Sequence, residues 1–188
     1  MKLNVPIKTI DYLSPSVMGK LQRKLAGTPQ EMWERKTFRQ DGTKTQKDTQ
    51  SIILCWSGFA TAKREEFRID AFKTEQWTQE FEFFKEELNS VNELIAEKYP
   101  GGTLRSMLTR LKPDGYISPH RDIDPTFKYS HRLHLGIVTN SAVDFSVDGE
   151  TYNIKEGELI EFDNLRKHSV HNRSNLARIH LIVDVLKV

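Results

Sequence analysis

The sequence predicts a mainly β (α+β) domain, an antiparallel barrel or double-sheet jelly roll with helices from the N-terminal half packed outside it. Three observations carry this reading. After Gly102 short runs with alternating apolar residues recur between brief turns, and roughly seven or eight such strands with short connections characterise a closed or sandwiched antiparallel fold. Asp148-Gly149, between VDFSV and ETYNI, is a tight hairpin signal. Ahead of these stands one long amphipathic stretch, Trp77 to Tyr99, with apolar residues at three- and four-residue steps.

In chain order, VPIKTIDYLSPS alternates loosely and stops at Pro15, as a short edge strand does. Ser14 or Ser16 can cap a helix through Leu21 and Leu25 that ends at Gly27. Trp33 to Phe38 is ambiguous, either a loop whose Trp33 covers the core or a wall of a substrate site, and the polar tract Arg39 to Gln50 reads as flexible. SIILCWSGF, Ser51 to Phe59, is a buried strand by its β-branched and aromatic content. The long helix is stopped by Pro100 and Gly101-Gly102. Strands follow at Leu104–Leu111, Tyr116–Pro119, Arg132–Val138, Val143–Val147, Glu150–Ile154, Leu159–Phe162, His168–His171 and Arg178–Leu186.

At 188 residues the chain fits one domain, with 1–102 as helical and strand support and 103–188 as the barrel core. A single cysteine, Cys55, excludes a disulfide framework and Cys-rich metal sites. Lys plus Arg number 28 against 26 Asp plus Glu, which leaves no strong field to recruit nucleic acid or an anionic membrane. With no long apolar run and no signal-peptide core at the N-terminus, the expectation is a soluble, cytoplasmic protein.

Residues two apart on a strand share a face. Arg132 and His134 therefore point one way and Leu133, Leu135 and Ile137 the other; Arg178 shares a face with His180, opposite Ile179, Leu181, Val183 and Val185. If the aliphatic faces meet the helices, the polar ones line the interior, where a buried cation is costly unless paired. An anionic ligand would be that pair.

The chemistry-bearing constellation is PHRD, then His168 far downstream, then Arg178 ten residues beyond it. His120 and Asp122, two apart, can reach one ion, and His168 can enter from another strand. Two neutral imidazoles and one carboxylate on one side of a metal leave positions open for a co-substrate and oxygen, the facial arrangement of non-haem Fe(II) oxygenases, whereas a closed four-ligand set would indicate structural zinc. The planar fork of Arg178 suits a carboxylate in two-point contact. Three protein ligands and a nearby guanidinium suit 2-oxoglutarate, whose 2-oxo acid end chelates and whose distal carboxylate meets Arg178.

PDGYISPHRD, RLHLGIV, EGELIEFDNLRKHSVHN and ARIHLIVDV together resemble the aspartyl/asparaginyl β-hydroxylase family of Fe(II)- and 2-oxoglutarate-dependent dioxygenases. The resemblance covers about Thr103 to Val188, with DTQSIILCW as a fainter upstream match. It implies a double-stranded β-helix of the cupin-like type and His120, Asp122 and His168 as iron ligands. It further implies Arg178 as the clamp on the distal carboxylate of 2-oxoglutarate, Arg132 with His134 as contacts near its other end, and Thr109 at a position where some members present a serine to the co-substrate. The implied reaction uses O₂ to hydroxylate an unactivated carbon of an amino acid, free or in a peptide, releasing succinate and CO₂. Members differ at the carboxylate position, some having Gly; with Asp122 present the chain resembles the small bacterial amino-acid hydroxylases more than the animal endoplasmic-reticulum enzyme.

Two other readings share the barrel. One is a non-catalytic cupin-like module that senses a metal or ligand; the other is a different metal enzyme, such as an isomerase, which has no use for a dicarboxylate clamp. His134 fits a hydrogen-bonded strand histidine as well as a co-substrate contact. His131 and His171 read as surface or loop residues, His180 as an interior neighbour of the site, and Asp124 and Asp163 as turn-ordering groups.

Overall fold

The computed structural model describes residues 3–35, 44–57 and 76–188. Ten strands within them form two antiparallel sheets. These are β1 (Ile7–Tyr12), β2 (Thr49–Trp56), β3 (Thr103–Leu111), β4 (Tyr116–His120), β5 (Ser130–Val138), β6 (Val143–Val147), β7 (Glu150–Tyr152), β8 (Glu158–Phe162), β9 (His168–Asn172) and β10 (Arg178–Leu186). The larger sheet runs β1-β8-β5-β10-β3-β2 and the smaller β4-β9-β6-β7, so from β3 onward the chain crosses repeatedly between sheets, with β6 and β7 kept together as a hairpin, as in a jelly roll.

The turns follow their residues. Asp148 and Gly149 both take positive φ, 50° and 91°, and close the β6–β7 hairpin as a two-residue primed turn needs. β1 lies at an edge of the larger sheet, pairing β8 with an irregularity between Thr9 and Asp11.

Helix α1 (Pro15–Ala26) begins where the Ser14 hydroxyl accepts from the Val17 N–H, with Pro15 in the first turn, and ends at Gly27. A short helix α2 (Gln30–Glu34) carries Trp33, and α3 (Gln79–Lys98) is the long amphipathic element. Phe84, Leu88 and Val91 of α3 are buried with Leu21 and Trp33 against Leu133, Leu135, Leu181 and Val183 of the larger sheet. The aliphatic parity face thus does meet the helices. Burial of each large side chain here contributes roughly 1.5–3 kcal/mol. Between the sheets lies a second apolar cluster built on Leu111, Ile117, Phe145, Ile160, Phe162 and Val170.

Several expectations are adjusted. Trp33 does cover the core, but from a helix rather than a loop; residues 36–38 lie outside the described residues. The tract Arg39 to Gln50 is described only from residue 44, where Lys44–Gln46 makes a 3-10 turn and Thr49 and Gln50 already belong to β2. Its polarity concealed Thr49, which is buried. The end of the predicted strand at 58–59 also lies outside the described residues. Trp77 pairs as an isolated bridge with Cys55 before α3 begins, and β7 stops at Tyr152 instead of Ile154. His131 is no loop residue: it is on β5, with Nδ1 2.6 Å from Glu161 Oε1.

Candidate metal and co-substrate site

β4 and β9 are adjacent, with His120 directly opposite His168 in the register, so the two imidazoles are cross-strand neighbours with ring centroids 4.3 Å apart. Asp122 follows immediately, anchored by its N–H to the Asn164 carbonyl at 3.1 Å. Donor atoms of His120, Asp122 and His168 all lie within 4.8 Å of one another.

Both rings are held in the same way. His120 Nδ1 lies 2.8 Å from the Ser118 carbonyl and His168 Nδ1 2.9 Å from the Arg166 carbonyl. A carbonyl only accepts, so each Nδ1 carries the proton and each Nε2 presents its lone pair to the shared space. Burial lowers the pKa of His168 further, keeping it neutral against the pull of Asp122.

The Asp122 carboxylate is divided between two duties. Its Oδ2 accepts from Arg132 Nη1 at 2.5 Å and from Asn164 Nδ2 at 2.9 Å, while Oδ1 faces His120 Nε2 at 3.8 Å. Burial alone would raise its pKa; the Arg132 guanidinium, with the Asn164 amide, outweighs that and holds it below the usual carboxylate value. Two neutral imidazoles and one ionised carboxylate facing a common point are the donor set a divalent iron takes, with the opposite side left to other ligands.

Behind these three, a narrow crevice of about 50 Å³ runs between the sheets, lined by Thr109, His134, Phe145, Phe162, Arg178 and Ile182 among others. Arg178 is 2% exposed. Its Nη2 is 2.5 Å from His180 Nδ1, and among the described residues its Nε has no partner and no carboxylate is bonded to it. Burial pushes its pKa down to about 9. His180, itself buried, is driven well below its ordinary value by desolvation and by the neighbouring guanidinium. Thr109 stands across from His180 on β3 and donates to its carbonyl at 3.4 Å, and His134 packs edge-on to Phe145 and Phe162.

All seven residues singled out from the sequence line this one crevice. Arg132 is already committed: Nε and Nη2 each reach Asp184 at 2.7 Å, and Nη1 reaches Asp122. Sequence reasoning missed Asp184, Asn164 and Arg105. Asp184 shares the inward parity of Arg178 and His180, and an acid on that face of an otherwise aliphatic strand end was the available signal. Asn164 carried none beyond its place in FDNLRK. A wider cleft of about 420 Å³ is lined by Trp56, Arg105, Met107, Ile123, Asp124 and Phe127 together with His120, Asp122 and Arg132, which also line the crevice.

Fold and site together define a jelly-roll protein with a two-histidine, one-carboxylate donor set beside a buried arginine. The chain belongs to the aspartyl/asparaginyl β-hydroxylase family, whose model matches residues 22–188. Among curated proteins it is 30% identical over 98 residues to L-proline cis-4-hydroxylase of Rhizobium meliloti, covering 50% of this chain and 34% of that protein. It is 29% identical over 94 residues to ornithine lipid ester-linked acyl 2-hydroxylase of Rhizobium tropici, covering 48% and 32%. The matched segment thus spans about a third of each curated relative. Among solved structures, a 2OG-Fe(II) oxygenase family oxidoreductase from Burkholderia pseudomallei superposes with TM-score 0.63 at 12% identity, over 97% of this chain and 85% of that one. Viral collagen prolyl hydroxylase from Paramecium Bursaria Chlorella virus-1 gives 0.56 at 13%, over 98% and 97%. These likenesses establish the fold. No helix among the described residues is long and apolar enough to cross a membrane.

Proposed function

We propose that the protein is an Fe(II)- and 2-oxoglutarate-dependent dioxygenase that hydroxylates an unactivated carbon of an amino acid, free or within a peptide. The carrying observation is Arg178: a buried guanidinium without a carboxylate partner among the described residues, in the same crevice as three side chains whose donor atoms converge. A cation in that position is costly unless an anion joins it. A small dicarboxylate that also chelates a metal answers both features, and a metal-binding module without a dicarboxylate would leave Arg178 unused.

His120, Asp122 and His168 would hold the iron; Arg178, with Thr109 beside it, would hold one carboxylate of 2-oxoglutarate. Arg132 and His134 support the far end of the crevice, Arg132 through Asp122. Iron and 2-oxoglutarate with O₂ supply an oxidation in which the co-substrate becomes succinate and CO₂ and one oxygen atom enters a C–H bond. The protein binds, orients and excludes water. Phe145, Phe162, Val170 and Ile182 put apolar surface between the charged groups of the crevice, which strengthens charge interactions inside. Both curated relatives are hydroxylases by name, and that supports the same class of reaction here. The substrate would occupy the 420 Å³ cleft, on the side of the donor set facing Trp56, Met107 and Phe127.

The test is turnover. Anaerobically purified protein given Fe(II), 2-oxoglutarate and O₂, with pools of amino acids and peptides, should release succinate and produce a mass gain of one oxygen in one component. Tight metal binding with no succinate from any pool would replace this reading with a sensor.

A further inference from the structure

Three charged residues stand side by side on adjacent strands of the larger sheet. Asp184 on β10 is opposite Arg132 on β5 and opposite Arg105 on β3. Asp184 has 0% exposure, and an isolated carboxylate there would not be tolerated. Arg132 meets it in a two-point fork, and Arg105 Nη1 approaches the same Oδ2 at 3.4 Å. Arg105 is in turn held by Thr126 Oγ1 at 2.6 Å and Asp124 Oδ1 at 3.4 Å, and its guanidinium lies 4.8 Å from the Phe127 ring centre; that of Arg132 lies 4.3 Å from it.

A guanidinium is planar, so two bonds to one carboxylate fix its plane and the direction of its remaining nitrogen. Here the remaining nitrogen is Nη1, and it meets Asp122 Oδ2. We infer that Asp184 is a positioning residue for the metal site: by clamping Arg132 it sets the rotation of the Asp122 carboxylate, so that Oδ1 is turned toward the two imidazoles. This inference rests on the metal-site reading above. Asp184 touches neither the imidazoles nor the open face; it acts through Arg132. Asn removes the charge and one acceptor, so the fork loosens and Nη1 is free to swing.

The experiment uses Co(II) as an optical stand-in, titrated into metal-free wild type and Asp184→Asn, with affinity and the visible absorption band both read. Wild type should bind with a defined spectrum. Asp184→Asn should bind about 10–100-fold more weakly, the range typical of a partner behind a ligand, with a shifted band that reports altered coordination. Glu161→Gln removes a buried carboxylate elsewhere on the same sheet and controls for general loosening; it should lower stability while leaving affinity and spectrum at wild-type values. If Asp184→Asn does not fold, Arg132→Lys carries the test, since a point charge cannot hold both carboxylates; it should shift the band likewise. Wild-type affinity and spectrum in the folded Asp184 variant, or in Arg132→Lys in its place, overturn the inference and leave the metal site standing. No binding by wild type overturns the metal site itself.

Discussion

Arg178 donates from Nη2 to His180 Nδ1 over 2.5 Å, so the histidine beside this buried cation is neutral and protonated on Nε2. The imidazole orients the guanidinium without neutralising it. Its Nε has no hydrogen-bond partner among the described residues.

Removing that cation should therefore separate affinity from stability. Arg178→Ala is expected to raise the 2-oxoglutarate concentration required by about 30-fold or more, from the roughly 2–5 kcal/mol lost when one partner of a buried charge pair goes, with metal affinity retained. Arg178→Met should leave the ligand-free melting temperature level or higher, since an uncompensated buried charge is replaced by apolar surface. Its gain on adding 2-oxoglutarate should vanish. A variant that melts far lower yet keeps the ligand-induced gain would contradict the assignment.

On the proposed reading His168 would supply a ligand directly, so His168→Ala should weaken metal binding beyond the roughly 10–100-fold typical of outer partners. Equilibrium dialysis with elemental analysis reads this. Equal affinity would show that the ion sits elsewhere.

Acid sensitivity has a local source in Glu161. Burial would raise its pKa, but His131 Nδ1 at 2.6 Å and the Tyr99 hydroxyl at 3.0 Å, with Lys187 near, hold it below the ordinary 4.5. A carboxylate depressed in the folded state contributes stability that is complete above its unfolded value and is lost as pH falls through the folded one. Glu161→Gln should cost about 1–2 kcal/mol at pH 7, and its gap from wild type should close as pH drops below about 4.5. Urea unfolding at a series of pH values measures it; a gap that widens in acid would refute this account.

Phe84 has 0% exposure where α3 packs on the larger sheet. Phe84→Ala should cost about 3–5 kcal/mol with metal affinity unchanged in folded protein, because the helices support the sheet's outer face and the site occupies its inner one. Denaturant unfolding and Co(II) titration check the two halves.

Periodicity made most of this fold legible. Alternation along RLHLGIV and RIHLIVDV placed the aliphatic face against the helices and Arg132, His134 and Arg178 inside, because strand parity admits only two faces. The convergence of His120, Asp122 and His168 was legible from spacing and family likeness. The Asp184–Arg132–Asp122 connection was not, since it depends on which strands become neighbours: β5 and β3 flank β10 only after the chain has crossed between sheets. Helix α2 was missed because a five-residue helix has too few turns to show a period.

The narrowness of the crevice between the sheets has a consequence for metabolite choice. Rings of Phe145, Phe162 and His134 wall it, and Arg178 lines the same space. If 2-oxoglutarate spans the donor set and Arg178 as proposed, a keto diacid one methylene shorter would leave one end unmet, and one methylene longer would collide. Discrimination of about 1–3 kcal/mol per methylene follows, so oxaloacetate and 2-oxoadipate should be poor replacements even though both carry the same reactive head.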